Sequence, residues 1–463
     1  MIFIILLGFF LRIYKLSEWM PFIGDYGWFY LSARDLVLYH KIPLVGITSS
    51  HTWLHQGPLW TYMLAILFFV SKFNPVMPAY LTAFLGTLTI WLVYKLGSIL
   101  FSKRTGIIAA LLCSTSPLIA MSDRTPYHTS IIPLFTALFI YSMCKWLKGN
   151  LYFFPLSILC LSILYNLELA TAILWLVISS FLFYGVLKHK MWGIKIFSPK
   201  IIFLSIFSFI IPMIPILIYD TSHSFVQTGR FALWTIYRAF SFLGYSGKHT
   251  ISVGSLKDIT DFLLTSYSRL IFASNSAIFL IILTFTIIFF FYQIYLQVTG
   301  KTKNKNMLII LLMISFPLVG YFITQTPSEA YLPILFCPII IFTAILFDHL
   351  LNFNKLKFII YITIVLLVGF NMSFLIKNNY LTGVGYQPTI TDRINIVKKI
   401  IKESDSKSYN IIGKGEGSQF ESFTMHYEYL AWWFGKVPSK RDEKLKFYIS
   451  ENRGEINVQD KIK

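Results

Sequence analysis

An acid, Asp25, lies between Gly24 and the pair Tyr26-Gly27, in a stretch that runs on through Trp28, Phe29 and Tyr30. A half-desolvated carboxylate in such a setting can act as a general base on a hydroxyl group. Asp is also a preferred helix cap, so the same residue could equally cap a helix starting near Tyr26. Further on in the same stretch comes His51-Thr-Trp-Leu-His55-Gln56-Gly-Pro58-Leu-Trp60. A second cluster is Ser122-Asp123-Arg124-Thr-Pro126-Tyr-His128. Arg124 can pair with Asp123 or hold an anionic phosphate, and His128 can give a proton or hydrogen bond to a leaving oxygen. The alternative for this cluster is an ion pair anchoring a loop at the headgroups.

Three more sites carry polar groups. Glu168 interrupts the apolar run around Tyr165-Asn-Leu-Glu-Leu. It is either a functional intramembrane carboxylate or an exposed turn residue. Asp220, His223, Arg230 and Arg238 belong to the largest middle loop, where the arginines either hold a phosphate or meet lipid headgroups. Glu329 and Tyr331 stand at the start of an apolar run, placed to orient a sugar or to face water. Nucleotide loops, zinc-protease motifs and CxxC pairs are missing where they would matter, so nucleotide-driven transport and thiol chemistry lose their usual signals.

The elements that must position these groups are membrane spans. Of 463 residues 56% are hydrophobic and 13% charged, too apolar a mixture for water to solvate. Apolar runs near 1–16, 77–100, 106–121, 131–147, 151–166, 168–187, 201–219, 270–298, 307–324, 330–351 and 358–377 give about eleven spanning helices. The shorter runs 26–39 and 58–71, inside a first loop of 17–76, read as helices on or re-entering the membrane surface.

There are 40 basic and 21 acidic residues, a net charge of +19. The basic residues gather in alternate short loops, at Lys103-Arg104, Lys145 to Lys148, Lys188 to Lys200, Lys301 to Lys305 and Lys355 to Lys357. That is the positive-inside pattern, and it makes nucleic acid a weak reading. The acids lie in the other loops, except for Asp348. Orientation alone does not gather acids, so a polar working surface outside the cytoplasm is expected.

The four cysteines, Cys113, Cys144, Cys160 and Cys337, all fall in apolar runs, and no disulfide framework follows. The opening run lacks a small-residue cleavage site and is followed by Arg12 and Lys15, so it is expected to be a short first span and not a leader, with a start set slightly too late as the other explanation for its length. Residues 1–377 form the membrane part, and 378–463 change composition. In that tail Asp392 can cap a helix over 391–403 whose Ile394, Ile396, Val397, Ile400 and Ile401 face a core. The tail is expected to be a small α+β domain on the outer face.

Taken in order, these features resemble the GT-C glycosyltransferases, in particular the protein O-mannosyltransferase and aminoarabinose transferase branch (family 39-like). The likeness runs over most of 1–350 and rests on four features. They are an Arg12-bearing first helix followed by Gly24-Asp25, the entry His55-Gln56-Gly-Pro58-Leu, the triplet Ser122-Asp123-Arg124, and Ala330-Tyr331-Leu-Pro333. The resemblance implies a multi-pass helical bundle that takes a sugar from a polyprenyl-phosphate donor and passes it to a hydroxyl of protein, lipid or glycan outside the cytoplasm. By it Asp25 is the base, Asp123 and His128 join the catalysis, Arg124 and Arg230 hold the donor phosphate, and Tyr26, His55, Gln56, Glu329 and Tyr331 contact substrate. Tyr26 stands where that family commonly has a second acid, His128 lies near the place of its second-loop acid, and Ala330 replaces an arginine. No cofactor is called for, and a divalent metal, open in principle, finds no ligand set in the sequence to support it.

Two other readings compete. A flippase or transporter of lipid-linked sugars also needs outer polar sites, but such proteins show paired halves with broken helices, and no internal symmetry is legible. A binding protein using the outer tail explains the tail and leaves the first loop unexplained.

Overall fold

Backbone polar groups cannot go unpaired in hydrocarbon, so the apolar runs fold as helices. The computed structural model describes residues 1–49, 53–242, 255–273, 277–378, 388–452 and 455–462. His51 lies outside them. The membrane part comprises α1 (Ile2–Ile13), α2 (Leu16–Trp19), α3 (Gly24–Tyr39), α4 (Leu59–Ser71), α5 (Met77–Leu100), α6 (Lys103–Thr115) and α7 (Pro117–Asp123). It continues with α8 (Ile132–Leu147), α9 (Phe153–Leu167), α10 (Trp175–Leu187), α11 (Met191–Ile194), α12 (Pro199–Ser222) and α13 (Val226–Phe242). It ends with α14 (Leu256–Ile271), α15 (Ala277–Val298), α16 (Lys305–Thr324), α17 (Pro333–Leu350) and α18 (Lys357–Lys377).

Among the described residues, eight helices are long and apolar enough to cross a membrane, and the pair α6–α7, bent by 64°, makes a ninth. The shorter apolar helices α1 and α9 match the two remaining expected spans. The chain is a multi-pass membrane protein. One boundary differs from expectation: residues 270 and 271 end the amphipathic α14, and the next span opens at Ala277. The reason is local, since Ser255 and Asp258 form a reciprocal capping box that starts α14 well upstream.

The bend between α6 and α7 follows from Pro117, which ends α6 at the residues before it, while the Ser116 side chain caps α7. It turns Asp123 inward to meet Arg12, and the two form a fully buried ion pair at 2.7 Å. Arg12 also donates to the carbonyls of Gly8 and Ser114, at 3.0 and 3.2 Å.

The lysine-rich loops converge at one end of the bundle. There the Lys305 ammonium reaches the carbonyl of Leu147 and sits over the Trp192 ring. Arg104 pairs with Asp348, which also accepts from Ser102 and Thr105. The lone acid on the basic side is therefore neutralised by its own loop partners.

At the other end lies the C-terminal segment: α19 (Ile390–Glu403), β1 (Tyr409–Lys414), α20 (Met425–Trp433), β2 (Leu445–Asn452) and β3 (Glu455–Ile462). Its sheet has the order β1-β2-β3, with β1 parallel to β2 and β2 antiparallel to β3. Val397 and Ile400 are fully buried, with Ile394, Ile396 and Ile401 packed beside them, as the apolar stripe requires. The cap of α19 is Thr389 instead of Asp392, which occupies the third helical position and returns a bond to the cap backbone. Threonine and acid three residues apart form a capping box, and reading the acid alone misses the pair.

Candidate active site

Asp25 sits in the first turn of α3, and its side chain caps nothing, since the position before the helix is Ile23 with no side-chain bond. The carboxylate faces elsewhere. Its Oδ1 accepts from the Ser422 hydroxyl at 2.7 Å and its Oδ2 from the Tyr127 hydroxyl at 3.4 Å. Two glycines permit this. A Cβ on Gly24 would lie 2.2 Å from the carbonyl oxygen of Ser422, and one on Gly27 would lie 2.1 Å from the backbone nitrogen of His426. The first turns of α3 therefore pack backbone to backbone on the C-terminal segment.

Asp25 and Glu329 line one cavity of about 250 Å³ together with Tyr26 and the hydroxyl-bearing Ser122, Tyr127 and Thr129. Tyr26 packs on Tyr127 with ring centroids 5.1 Å apart. Leu118 and Phe336 form part of its wall, and the same two residues wall a second space of about 480 Å³. That second space is an apolar groove between α14, α15, α16 and α17, lined by residues such as Leu263, Leu270, Phe290 and Leu335. A polar chamber thus opens beside an apolar slot within the spans. Arg269, in the last turn of α14 and next in sequence to Leu270 of the groove wall, pairs with Glu329 of the chamber at 3.8 Å.

The other residues singled out from sequence do not line this cavity. Asp123 is committed to Arg12. The Arg124 Nη1 donates to the carbonyls of Leu11, Arg12 and Tyr14, at 3.4, 2.8 and 2.9 Å, so that side chain closes the end of α1. His128 is buried with its Nε2 3.6 Å from Glu168. Gln56 holds the Glu168 carboxylate with its amide nitrogen, 3.1 Å from each oxygen, and accepts from the Leu169 backbone with its own oxygen. Glu168 is 3% exposed, so the exposed-turn alternative does not describe it. The backbone of His55 is bracketed by the amide of Gln227, and its ring lies edge-on to Tyr219. Asp220 accepts from the backbone of Gln227 and Thr228 and so caps α13. Arg230 is exposed, lying over Trp53, and Tyr331 packs against Tyr321 outside the cavity.

Beneath Ser422 a polar cluster fixes the C-terminal segment. Glu451 accepts from Arg393 at 2.7 Å, from the Tyr427 hydroxyl at 2.6 Å and from His426 Nε2 at 3.1 Å. Burial by itself would raise the Glu451 carboxyl, but the His426 hydrogen bond and the Arg393 guanidinium overcome it and hold it down to about 2. Burial pushes the His426 ring down to about 4, where the nearby Arg393 charge adds to the effect.

Among the described residues no three His, Cys, Asp or Glu side chains gather as a metal ligand set, and of the two cavity carboxylates Asp25 accepts from Ser422 while Glu329 pairs with Arg269.

No protein-family model matches the sequence, and no curated protein matches it. Solved structures do. The chain is similar to the archaeal oligosaccharyltransferase AglB from Archaeoglobus fulgidus in complex with an inhibitory peptide and a dolichol-phosphate, with TM-score 0.57 and 12% identity over 97% of this chain and 68% of that one. It is also similar to ArnT from Cupriavidus metallidurans bound to undecaprenyl phosphate, with TM-score 0.59 and 9% identity over 97% of this chain and 92% of that one. The chain shares the GT-C fold of these two proteins. In another structure of the archaeal oligosaccharyltransferase, tethered to an acceptor peptide, this chain spans 63% of the longer protein (TM-score 0.56, 13% identity, 94% of this chain). At such identities the likeness speaks for the GT-C fold, as the opening features of the sequence implied.

Of the residues singled out from sequence, Asp25, Tyr26 and Glu329 line the cavity; Tyr127, which also lines it, and Arg269 and Ser422, which touch its two carboxylates, are not among them. For Arg269 a signal existed: it is the basic residue in the last turn of a helix announced by Ser255 and Asp258.

Proposed function

We propose that this chain is a membrane glycosyltransferase that moves a sugar from a polyprenyl-phosphate donor to a hydroxyl-bearing acceptor (protein, lipid or glycan) on the outer face of the membrane, with inversion at the anomeric carbon. The single observation behind this reading is the shared wall of Leu118 and Phe336 between an apolar groove and a chamber with two carboxylates. The groove suits a prenyl chain and the chamber suits a sugar. Convergence of the lysine loops at the opposite end supports an outward chamber. The solved neighbours add weight, since one is bound to undecaprenyl phosphate and another is in complex with a dolichol-phosphate.

In this mechanism Asp25 takes the proton of the acceptor hydroxyl as its oxygen attacks the anomeric carbon. The bond from that carbon to the phosphate oxygen breaks on the opposite face, through an oxocarbenium-like state, and polyprenyl phosphate leaves with the bonding pair. In this reading Arg269, reaching the chamber residue Glu329 from the helix that walls the groove, meets the donor phosphate and stabilises the developing negative charge, the role first given to Arg124 and Arg230. Glu329 orients Arg269 from the chamber side. Asp123, Arg124, His128, Gln56 and Glu168 act as framework that holds the first and second outward loops together.

The test is binding of undecaprenyl phosphate to the purified full-length chain in nanodiscs, read by native mass spectrometry. Arg269→Ala should weaken it at least tenfold, on the order of a lost charge-assisted contact. Equal binding by wild type and Arg269→Ala would remove Arg269 from the phosphate site.

A further inference from the structure

The Asp25 carboxylate is oriented from a distance of 397 residues along the chain, and the donor that does so belongs to the C-terminal segment. Ser422 lies in the short 3-10 turn Glu421–Thr424 that leads into α20. Its hydroxyl makes the shorter of the two contacts to Asp25, 2.7 Å against 3.4 Å for Tyr127. Two hydroxyl donors, one on each oxygen, fix the carboxylate plane and leave its remaining lone pairs for an incoming hydroxyl.

The placement of Ser422 is itself fixed. Its carbonyl oxygen presses on Gly24 and the His426 backbone presses on Gly27, so the turn cannot slide along α3. The rest of the segment is tied down by the Tyr429 hydroxyl on the carbonyl of Phe73 and by the Ile390 backbone nitrogen on the carbonyl of Met20. A hydroxyl held this way loses little freedom in making its bond, which is what positioning a base requires.

We infer that Ser422 is a positioning residue for Asp25, and that the C-terminal segment completes the transfer site by pinning the base from outside the membrane part. This rests on the reading of Asp25 as base. The experiment uses the full-length chain and two readouts: undecaprenyl phosphate binding in nanodiscs, and sugar transfer in isolated membranes, scored by mass spectrometry of envelope glycans. Ser422→Ala should bind undecaprenyl phosphate as wild type does while transferring about tenfold more slowly, the scale of a lost hydrogen bond to a charged group. Ser422→Thr, which keeps the hydroxyl, should recover transfer. In an Asp25→Asn background Ser422→Ala should change nothing further.

Wild-type transfer by Ser422→Ala would overturn the inference, as would failure of Ser422→Thr to recover, or loss of lipid binding in Ser422→Ala, which would mark a structural role. Full transfer by Asp25→Asn would instead remove the base itself. An inactive Asp25→Asn beside a fully active Ser422→Ala would leave the base standing and refute only the positioning role.

Discussion

Lowering the pH from 7 to 5 should loosen the C-terminal segment, and His426 should account for the effect. The neutral ring donates from Nε2 to Glu451, and its Nδ1 is buried without a hydrogen-bond partner, so a second proton has nowhere to bond. Burial lowers this histidine from its ordinary 6.5 to about 4. Between those two values the unfolded segment binds a proton that the folded one refuses, so stability falls as pH falls. From 6.5 down to pH 5 the difference is about 1.5 pH units, which at about 1.4 kcal/mol per unit comes to about 2 kcal/mol. Glu451 takes over lower down. Its stabilisation is fully present above its ordinary 4.5 and drains away as pH drops toward about 2. Hydrogen exchange of the α20 and β2 amides, corrected for intrinsic rates, reads the effect directly. Protection should fall roughly thirtyfold between pH 7 and pH 5, the factor that about 2 kcal/mol corresponds to. In His426→Gln, which still donates to Glu451 and does not titrate, protection should stay flat over that range. Protection that is pH-independent in the wild type, or that rises on acidification, would refute the reasoning.

Two other outcomes follow from the same geometry. Asp123→Ala should lower folded stability by about 3–5 kcal/mol, because it strands the fully buried Arg12 charge. The apolar double change Arg12→Met with Asp123→Leu should recover most of that loss, and thermal denaturation in detergent decides between them. Arg230→Ala, at an exposed position over Trp53, should leave undecaprenyl phosphate binding within about threefold of wild type, an effect below about 1 kcal/mol of the kind surface charges give. A drop as large as that expected of Arg269→Ala, seen in the same native mass spectra, would put the phosphate on the α13 side.

The spans were legible because lipid admits few structures and because lysines mark the loops on one side. Asp25 was legible for a related reason: an acid between glycines at a membrane exit has few uses, and the structure shows that the cap is not one of them. What stayed hidden was pairing at a distance. Arg12 and Asp123, 111 residues apart, carry no mark of their pairing in the sequence, and only the fold shows that they meet. Gln56 and Glu168 behave the same way, each conspicuous singly and each the partner of the other. Arg269 was masked by its neighbours, since the apolar residues after it drew the start of a span over the end of an amphipathic helix. Ser422 carries no local mark at all. Its role exists only because the backbones of α3 and the turn before α20 touch, and no periodicity in the tail reports that contact.

The central proposition is that the carboxylate at the start of α3 takes the acceptor's proton in a chamber fed by a lipid-linked sugar. Sugar transfer by full-length Asp25→Asn, measured in membranes alongside undecaprenyl phosphate binding in nanodiscs, tests it most directly. The expected result is unaltered binding with transfer reduced about 10²–10⁴-fold, the contribution of a positioned base. Transfer at the wild-type rate by this variant would contradict it.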